Sequence, residues 1–513
     1  MDYLKKIKEK DDEFAELNAR MQTDVDLLYL KRYVMMDKTG KHAIPDIVNS
    51  TLNKPAVLAA NVISALGAVS QQVVVESDNS KVDTHTIEEI INAVFAMANL
   101  RLRKDRKTLL NPAADIGLCI RGRHGRRVLT RLDDDGKFCA DITSWDGRYI
   151  RYGEGQDGLN WASFGAHRSR ADIEADAAKN NWNLGSKTLP LRTMVRDVWD
   201  AYHNEVWIEN RMVFEQEHDY GITPIVLSVV SLGYGDVILD EHHQKQEGES
   251  IFFLFRDIIL ELNRIATILT TQTFLSIKPP REFASKEGNK EPPDYDEALA
   301  PGVITSVEIG GGFQAIDYGD ATRSAQMLYG MIEKAVQEGG YNDLDVGNVR
   351  QPFSAIALIT IGQGRNQVHI PRLAAKEGLN IATADMFIKQ MLQIGGTLEL
   401  GTAGHTKKYN TAKLDGEYSI DFKYTTRNAQ TDIAQMAVAS QAEKWYPRRH
   451  IYAEVLKVDD PDGLMDDWYS QMAEILDPNI LKHRTIMRLL NKAEEDNDEE
   501  AAMEAKIMAE GMR

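Results

Sequence analysis

Gly248-Glu249-Ser250-Ile251-Phe252-Phe253-Leu254-Phe255 opens the stretch whose reading decides the fold. From Glu249 to Thr273, Ile251, Leu254, Phe255, Ile258, Leu262, Ile265 and Leu269 recur at helical spacing. Arg256, Asp257, Glu261, Asn263, Arg264 and Thr267 lie off that stripe, so the pattern predicts one amphipathic helix. Its 25 residues would span about 37 Å at ~1.5 Å per residue. An irregular stretch follows, with five of the 15 prolines at 279, 280, 292, 293 and 301. Then come a short strand over Val303–Ile309, the triplet Gly310-Gly311-Gly312, and a second helix over Asp320–Glu338. That helix has Ala325, Leu328, Met331, Ile332 and Ala335 on one face, and Gly339-Gly340 ends it. Two helices thus flank a Pro/Gly-rich excursion. A loop of that length in a compact domain points to a protruding, functional module.

Working outward towards the N-terminus, residues 1–100 read as mostly helical. Asp24-Val25-Asp26-Leu27-Leu28-Tyr29-Leu30 begins an apolar-periodic stretch, and a helix over Pro55–Leu66 carries its proline in the first turn. A strand over Gln72–Glu76 follows, then a helix over Thr86–Leu102 with Ile87, Ile90, Ile91, Val94, Phe95 and Ala98 on one face. Residues 108–240 alternate aromatic and β-branched runs with Gly and Asp, as in Arg148-Tyr149-Ile150-Arg151-Tyr152 and Ile225-Val226-Leu227. They predict a β-rich module with one helical insertion near Ser169–Asn181. Beyond the excursion, residues 341–367 are Gly-spaced and read as a loop. A helix over 369–395 follows, then strands over 397–426, where Tyr418–Tyr424 alternates, and a helix over 428–444. The turn Asp459-Asp460-Pro461-Asp462-Gly463 introduces helices 464–476 and 479–491. The acidic tail 493–513 reads as a solvated, partly frayed helix. The class is α+β, and no 20–50-residue repeat interrupts it.

The chain has 513 residues, with 60 Lys and Arg against 78 Asp and Glu, a formal charge of −18. That balance argues against a protein whose whole surface grips nucleic acid by neutralising phosphates. Cys119 and Cys139 are the only cysteines, which excludes a disulfide scaffold and predicts a reducing compartment. No apolar signal core follows Met1-Asp2-Tyr3-Leu4-Lys5-Lys6, so no secretory leader is expected. The longest uncharged run, Pro55 to Val75, contains Asn61, Ser64, Gly67, Ser70, Gln71 and Gln72. It reads as a buried helix and strand rather than a membrane span. A soluble protein assembled in the cytoplasm, with no membrane partner, is the expectation.

Catalytic signatures are sparse. Gly153-Glu154-Gly155-Gln156-Asp157-Gly158 matches GxGxxG, but Leu159–Gly165 reads as another strand, where a dinucleotide site needs a helix N-terminus. The sequence holds no GxxxxGK[ST], HExxH, GxSxG or CxxC, and Gly185-Ser186-Lys187-Thr188 resembles only the end of a P-loop. His242 and His243 are adjacent, so their side chains point apart and make a poor metal pair. No cofactor is expected. The one distinctive charge feature lies between 101 and 131. There Arg101, Arg103, Lys104, Arg106, Lys107, Arg121, Arg123, Arg126, Arg127 and Arg131 face only Asp105 and Asp115. Such a patch either faces phosphate or forms salt bridges, within or between subunits, to the acidic majority.

The order of helical N-terminus, β-rich module, long helix, Pro/Gly-rich excursion, second helix, Gly-spaced loop and long helix resembles that of a known family. It is similar to the portal proteins of tailed double-stranded DNA bacteriophages of the long-tailed type. The segments that carry the likeness are Ile44-Pro45-Asp46-Ile47-Val48 with Asn53-Lys54-Pro55-Ala56-Val57, Trp145-Asp146-Gly147-Arg148-Tyr149 with Gly158-Leu159-Asn160-Trp161, and Gly248–Phe253. The likeness runs from residue 20 to about 480, and its motifs are diffuse. It implies a ring of twelve subunits at one capsid vertex, assembled in the host cytoplasm and resident in the virion. The implied organisation is a wing over 1–247 and 368–458, a helical stem hairpin over 248–273 and 319–340, and an α/β clip over 274–318. A tunnel-loop region over 341–367 and a helical crown over 459–513 complete it. The implied partners are the packaging terminase, the head-completion adaptor, major capsid and scaffolding proteins, and duplex DNA in transit.

The resemblance also assigns candidate residues. Arg281, Lys286, Lys290 and Tyr295 are candidates for the clip's partner contacts. Lys334, Arg350 and Arg365 are candidates for intermittent phosphate contacts in the channel, and Arg121, Arg123, Arg126, Arg127 and Arg131 form the basic patch. It implies no catalysis, no cofactor and no metal. From 276 to 318 there are eight acids and four bases, and an anionic bore repels a duplex within a Debye length of ~8 Å rather than holding it. Two alternatives remain open at this point: another ring-forming head–tail connector or capsid component, and a nucleotide-cofactor enzyme using the 153–158 glycines.

Overall fold

Ile87, Ile90, Ile91, Val94 and Ala98 form one apolar stripe on the helix Thr84–Lys104, whose start is capped by the Asp83 carboxylate accepting from the Thr86 amide. All five are buried in a core shared with residues from far along the chain, including Leu379, Phe387, Met391, Leu398, Ile420 and Phe422. Phe95 stands edge-on to Phe387 and Phe422, with ring centroids 5.8 and 5.9 Å apart. Strand pairing repeats the link. Ser70–Glu76 runs antiparallel to Ser419–Thr425, with Ser70 opposite Thr425 and Glu76 opposite Ser419. Chain before the excursion and chain after it therefore share one core.

The computed structural model describes residues 3–79, 82–133, 135–156, 158–185, 188–232, 243–277, 281–284, 312–315, 326–332, 334, 355–402 and 404–425, with shorter stretches between 439 and 510. Met1–Thr425 and Thr426–Arg513 are two compact units. The first begins with α1 (Tyr3–Glu13), α2 (Ala15–Leu28), α3 (Lys54–Gly67), β1 (Ser70–Glu76), α4 (Thr84–Lys104) and α5 (Leu110–Ile120). Next come β2 (Arg123–Leu132), β3 (Phe138–Asp146), β4 (Ile150–Gly155), β5 (Gly158–Ser169), α6 (Arg170–Asn180), β6 (Arg192–Asp200), β7 (His203–Ile208), β8 (Arg211–Glu217) and β9 (Ile225–Val229). The short α7 (His243–Gln246) precedes α8 (Arg256–Ile277), β10 (Arg281–Ala284) and β11 (Gly312–Ala315). The unit closes with α9 (Ala355–Ile394), β12 (Thr397–Thr402), β13 (His405–Asn410) and β14 (Ser419–Thr425). Among the described residues the sheets are small: β4-β5-β6-β7-β8, β3-β2-β9, and the pairs β1-β14, β10-β11 and β12-β13. Every recorded pairing is antiparallel. In the second unit, Glu499–Glu510 is helical and the Arg448 guanidinium stacks 4.2 Å from the Trp468 ring centroid.

The chain is a mixed α+β protein. The Pro55–Leu66 helix, the following strand, the Thr86–Leu102 helix, the β-rich module and its helical insertion all form where the periodicity puts them. Three expectations need correction. Helix α5 lies inside the stretch read as β-rich; it is only 11 residues long, and its buried apolar residues Leu110, Ala114, Leu118, Cys119 and Ile120 do not keep to one face, so its helical period is weak beside strong aromatic signals. The long helix starts at Arg256, not Glu249. Residues 249–251 instead bond outward, the Glu249 amide to the Leu232 carbonyl at 3.0 Å and the Ile251 amide to the Cys119 carbonyl at 2.9 Å. Residues 355–367, read as loop, are the first part of α9, which runs on through Pro371. Gly362 and Gly364 suggest a loop, yet a helix interior tolerates each at about 1 kcal/mol. The Val303–Ile309 strand, the 341–354 stretch, much of the 320–338 helix and most of the 428–444 helix lie outside the described residues, and those of 464–476 and 479–491 that are described are helical.

Candidate functional site

The excursion is closed at its root. Arg281–Ala284 pairs with Gly312–Ala315, Arg281 opposite Ala315 and Ala284 opposite Gly312. This two-stranded ribbon lies in sequence between α8 and a helical stretch at 326–332, whose Tyr329 and Ile332 pack against the core built on Phe252, Phe255, Ile259 and Leu262. Both helices therefore contribute to one core. On the return stretch Met327 and Met331 are each 68% exposed. On the approach to α8, Leu254, read from the sequence as part of the apolar stripe, is 58% exposed.

What holds α8 is a buried ionic cluster at its start. Arg256 donates to both Asp24 oxygens at 2.6 and 3.0 Å and to Glu249 at 2.7 Å. Asp24 and Glu249 are fully buried. Arg20, also buried, donates to the carbonyls of Lys245, Glu247, Gly248 and Arg121 at 2.9–3.3 Å and lies 3.3 Å from Glu249. Burial pulls the Arg20 pKa below its ordinary value against the attraction of Glu249 and Asp24. For Arg256 burial acts the same way, but hydrogen bonds and charge from Asp24 and Glu249 outweigh it and hold the pKa above its usual value. Gly122 and Gly248, both at positive φ (+73° and +61°), let their backbones touch inside this cluster.

A second device grips the side of α8. The amides of Leu52, Ser50 and Val48 donate to Asn263 Oδ1, Thr267 Oγ1 and Thr271 Oγ1 at 2.9, 3.0 and 3.1 Å. Helix residues four apart rise about 6 Å and extended residues two apart about 6.6 Å, so the two ladders match in pitch. Asn263 and Thr267 are buried for this reason, although their polarity marks them as solvent-facing in the sequence. Asn263→Ala is expected to lower the unfolding free energy by about 1–2 kcal/mol and to speed hydrogen exchange at the Leu52 amide. Unchanged exchange at Leu52 would mean that the strap is held by something else.

The basic patch does not form one surface. Arg121 chelates Asp146 at 3.1 Å and donates to the Met21 carbonyl at 2.9 Å. Arg123 is buried between the Phe14 and Tyr152 rings, 5.3 Å from each centroid, and 3.8 Å from Glu247. Arg126 is buried and donates to Asn380 Oδ1 at 2.6 Å and to Thr383 and the Leu110 carbonyl at 3.3 Å, while burial lowers its pKa to about 10. Arg127 bridges Asp197 and Asp141 at 3.0 and 3.4 Å. Only Arg131 of these five is exposed. The phosphate-facing alternative is thus corrected for Arg121, Arg123, Arg126 and Arg127: their partners sit inside the same subunit.

Between Arg123 and Arg126, His124 is buried, and burial first, then the Arg126 charge, lowers its pKa to about 3. Its folded pKa lies below the unfolded value near 6.5, so the stability it contributes is full above about pH 6.5 and declines as pH falls towards 3. His124→Gln should flatten the fall in Tm over that window. An identical pH profile in the variant would show that other groups govern acid sensitivity.

Lys334 is helical and exposed shortly after the 326–332 stretch, and Arg365 lies on the helical backbone of α9. Arg281 lies on β10. Arg350, Lys286, Lys290 and Tyr295 lie outside the described residues, as does His242. Gly153, Gly155 and Gly158 fall on the β4–β5 hairpin, with Gly155 opposite Gly158 and no helix following. A Cβ on Gly153 would come within 2.5 Å of the Trp161 indole nitrogen, so packing accounts for that glycine without a phosphate. Cys119 is buried on α5, and both cysteines are free thiols. Among the described residues no group of three or more His, Cys, Asp or Glu is placed to hold a metal, and no helix is long and apolar enough to cross a membrane. Sequence reasoning missed the Asp24–Glu249–Arg256 cluster because nothing local marks a partner 232 residues away. Compared with models of known protein families and with curated protein sequences, the chain matches none.

Proposed function

We propose that the chain is the subunit of a portal-type ring, a closed collar through which duplex DNA enters a capsid and later leaves it. The observation that carries the reading is the ribbon Arg281–Ala284 with Gly312–Ala315, set in sequence between α8 and a return helix that packs on the same core. That is the connectivity a stem hairpin bearing a clip requires. The core shared by residues between 73 and 142 and between 379 and 422 supports it, because a wing built from both sides of the excursion leaves the hairpin as one insertion. Exposed Met327, Met331 and Leu254 supply apolar surface for lateral contacts between copies.

The electrostatics support transit rather than grip. Eight acids and four bases between 276 and 318, repeated around a ring, repel phosphate and keep a duplex centred within the screening length of ~8 Å. The clip is the end that faces the terminase during packaging and the adaptor afterwards, with Arg281, Lys286, Lys290 and Tyr295 as its candidate contacts. Lys334, Arg350 and Arg365 are candidates for brief phosphate contacts. Native mass spectrometry tests the proposal. A discrete species near twelve times the 57.7 kDa subunit supports it, and a chain that stays monomeric or dimeric at every concentration removes it.

A further inference from the structure

A cleft of about 430 Å³ opens between the end of α2, α5 and the β2–β3 ribbon. Its walls are apolar: Val25, Leu28 and Ile116 line it, and Tyr29 stands 78% exposed at its edge. Ile116 is 44% exposed. Two buried polar groups also line it, and neither has a hydrogen-bond partner. His124, 3% exposed, has both ring nitrogens unpaired, and the Ser144 hydroxyl is likewise unpaired. A native fold rarely leaves such groups orphaned, because each costs the desolvation of an unmade bond. An apolar cleft with a few convergent polar groups is the usual form of a binding site. The rim is basic. Lys107 lines the cleft, and Arg103, Lys104 and Arg106 beside it in the chain are all exposed, unlike Arg121, Arg123, Arg126 and Arg127.

We infer that this cleft docks a second copy of the chain, taking an apolar side chain flanked by carboxylates, with His124 and Ser144 bonding its backbone and the 103–107 bases meeting its acids. The inference rests on the ring reading above. Charge complementarity favours this occupant: the subunit carries −18 overall, so the exposed surface a neighbour presents is mainly acidic, and the rim is one of its few basic stretches. The chain itself carries such knobs. On α8, Leu260 is 42% exposed beside the exposed Asp257 and Glu261. A duplex would satisfy the rim but would leave the apolar walls between Tyr29 and Ile116 unfilled. A pocket on one copy and a knob on the next form a heterologous contact, the kind that closes into a ring.

The test places a photo-cross-linking benzoylphenylalanine at Ile116 in a full-length chain prepared as an equal mixture of light and heavy isotopes, with a short DNA duplex present. Cross-links joining light to heavy chains support the inference. Cross-links confined within one chain, or made to DNA, overturn it. In parallel, Ile116→Asp and Lys107→Glu, both at exposed positions where folding is insensitive, are compared with the native chain by native mass spectrometry. Each should raise the concentration for half-assembly by about tenfold or more, with circular dichroism and Tm unchanged. If the native chain forms rings and both variants form them at the same concentration, the docking inference fails while the ring proposal stands. A native chain that never assembles removes both.

Discussion

Replacing Gly122 by valine should lower the stability of the first unit by about 4 kcal/mol or more, a loss in the range that marks a steric catastrophe rather than an ordinary core change. Gly122 sits at φ +73°, and a Cβ there would fall 1.5 Å from the Gly248 carbonyl oxygen. Neither backbone is able to retreat. The Gly122 carbonyl accepts from the Val230 amide at 2.8 Å, and the Gly248 carbonyl accepts from Arg20 at 2.9 Å. The matching control is Gly136→Val in the turn after β2. Gly136 has the same backbone sign, φ +75°, but nothing lies within 4 Å of its Cβ position, so only the left-handed strain of about 1–3 kcal/mol applies. Urea unfolding of the two variants separates the effects. Equal losses would show that the Gly122–Gly248 contact is not what joins the segment before α8 to the α5–β2 turn.

Asp24→Ala should cost about 3–5 kcal/mol, the usual result of removing one partner from a buried ion pair. Asp24 is fully buried and accepts two bonds from Arg256, so the alanine variant leaves the guanidinium with Glu249 as its one hydrogen-bonded carboxylate and the Ser250 hydroxyl at 3.4 Å. The loss is therefore mainly that of a stranded charge and not the net worth of the pair. Arg256→Met alone strands carboxylates in the same way. Combined with Asp24→Ala it should destabilise by less than the sum of the two, because the second change removes the charge that the first one left. Strict additivity in chemical denaturation would mean that the two side chains do not depend on each other.

What could be read in advance divides along a physical line. Helices α3 and α4 and strand β1 are legible because their burial follows the backbone's own period: Ile87, Ile90, Ile91 and Val94 lie on one face whatever they pack against. Helix α8 is legible in existence but not in start or facing. Its first turn is displaced because Glu249 and Ile251 bond to Leu232 and Cys119. Its polar flank is buried because Asn263 and Thr267 hold the amides of Leu52 and Ser50. Both causes lie outside the helix. The basic patch misleads for a related reason. Arg121, Arg123, Arg126 and Arg127 look like a surface in sequence, yet β2 runs through the interior and each meets an acceptor or ring brought by another element. Apart from Arg131 at the end of β2, the cations that remain exposed, Arg103, Lys104, Arg106 and Lys107, lie where α4 ends and the chain turns, with Arg106 itself at φ +56°. Charge spacing says where cations are in the chain, and only the fold says which of them reach water.

An electron-microscopic reconstruction of the purified chain, viewed along its symmetry axis, separates a ring from a lone subunit. A portal-type subunit should give a closed collar near twelve subunits, with the hairpin of α8 and its return helix surrounding the passage and carboxylates outnumbering cations along the 276–318 stretch. Particles of a single subunit, or a collar whose passage is lined mainly by arginine and lysine, would contradict it.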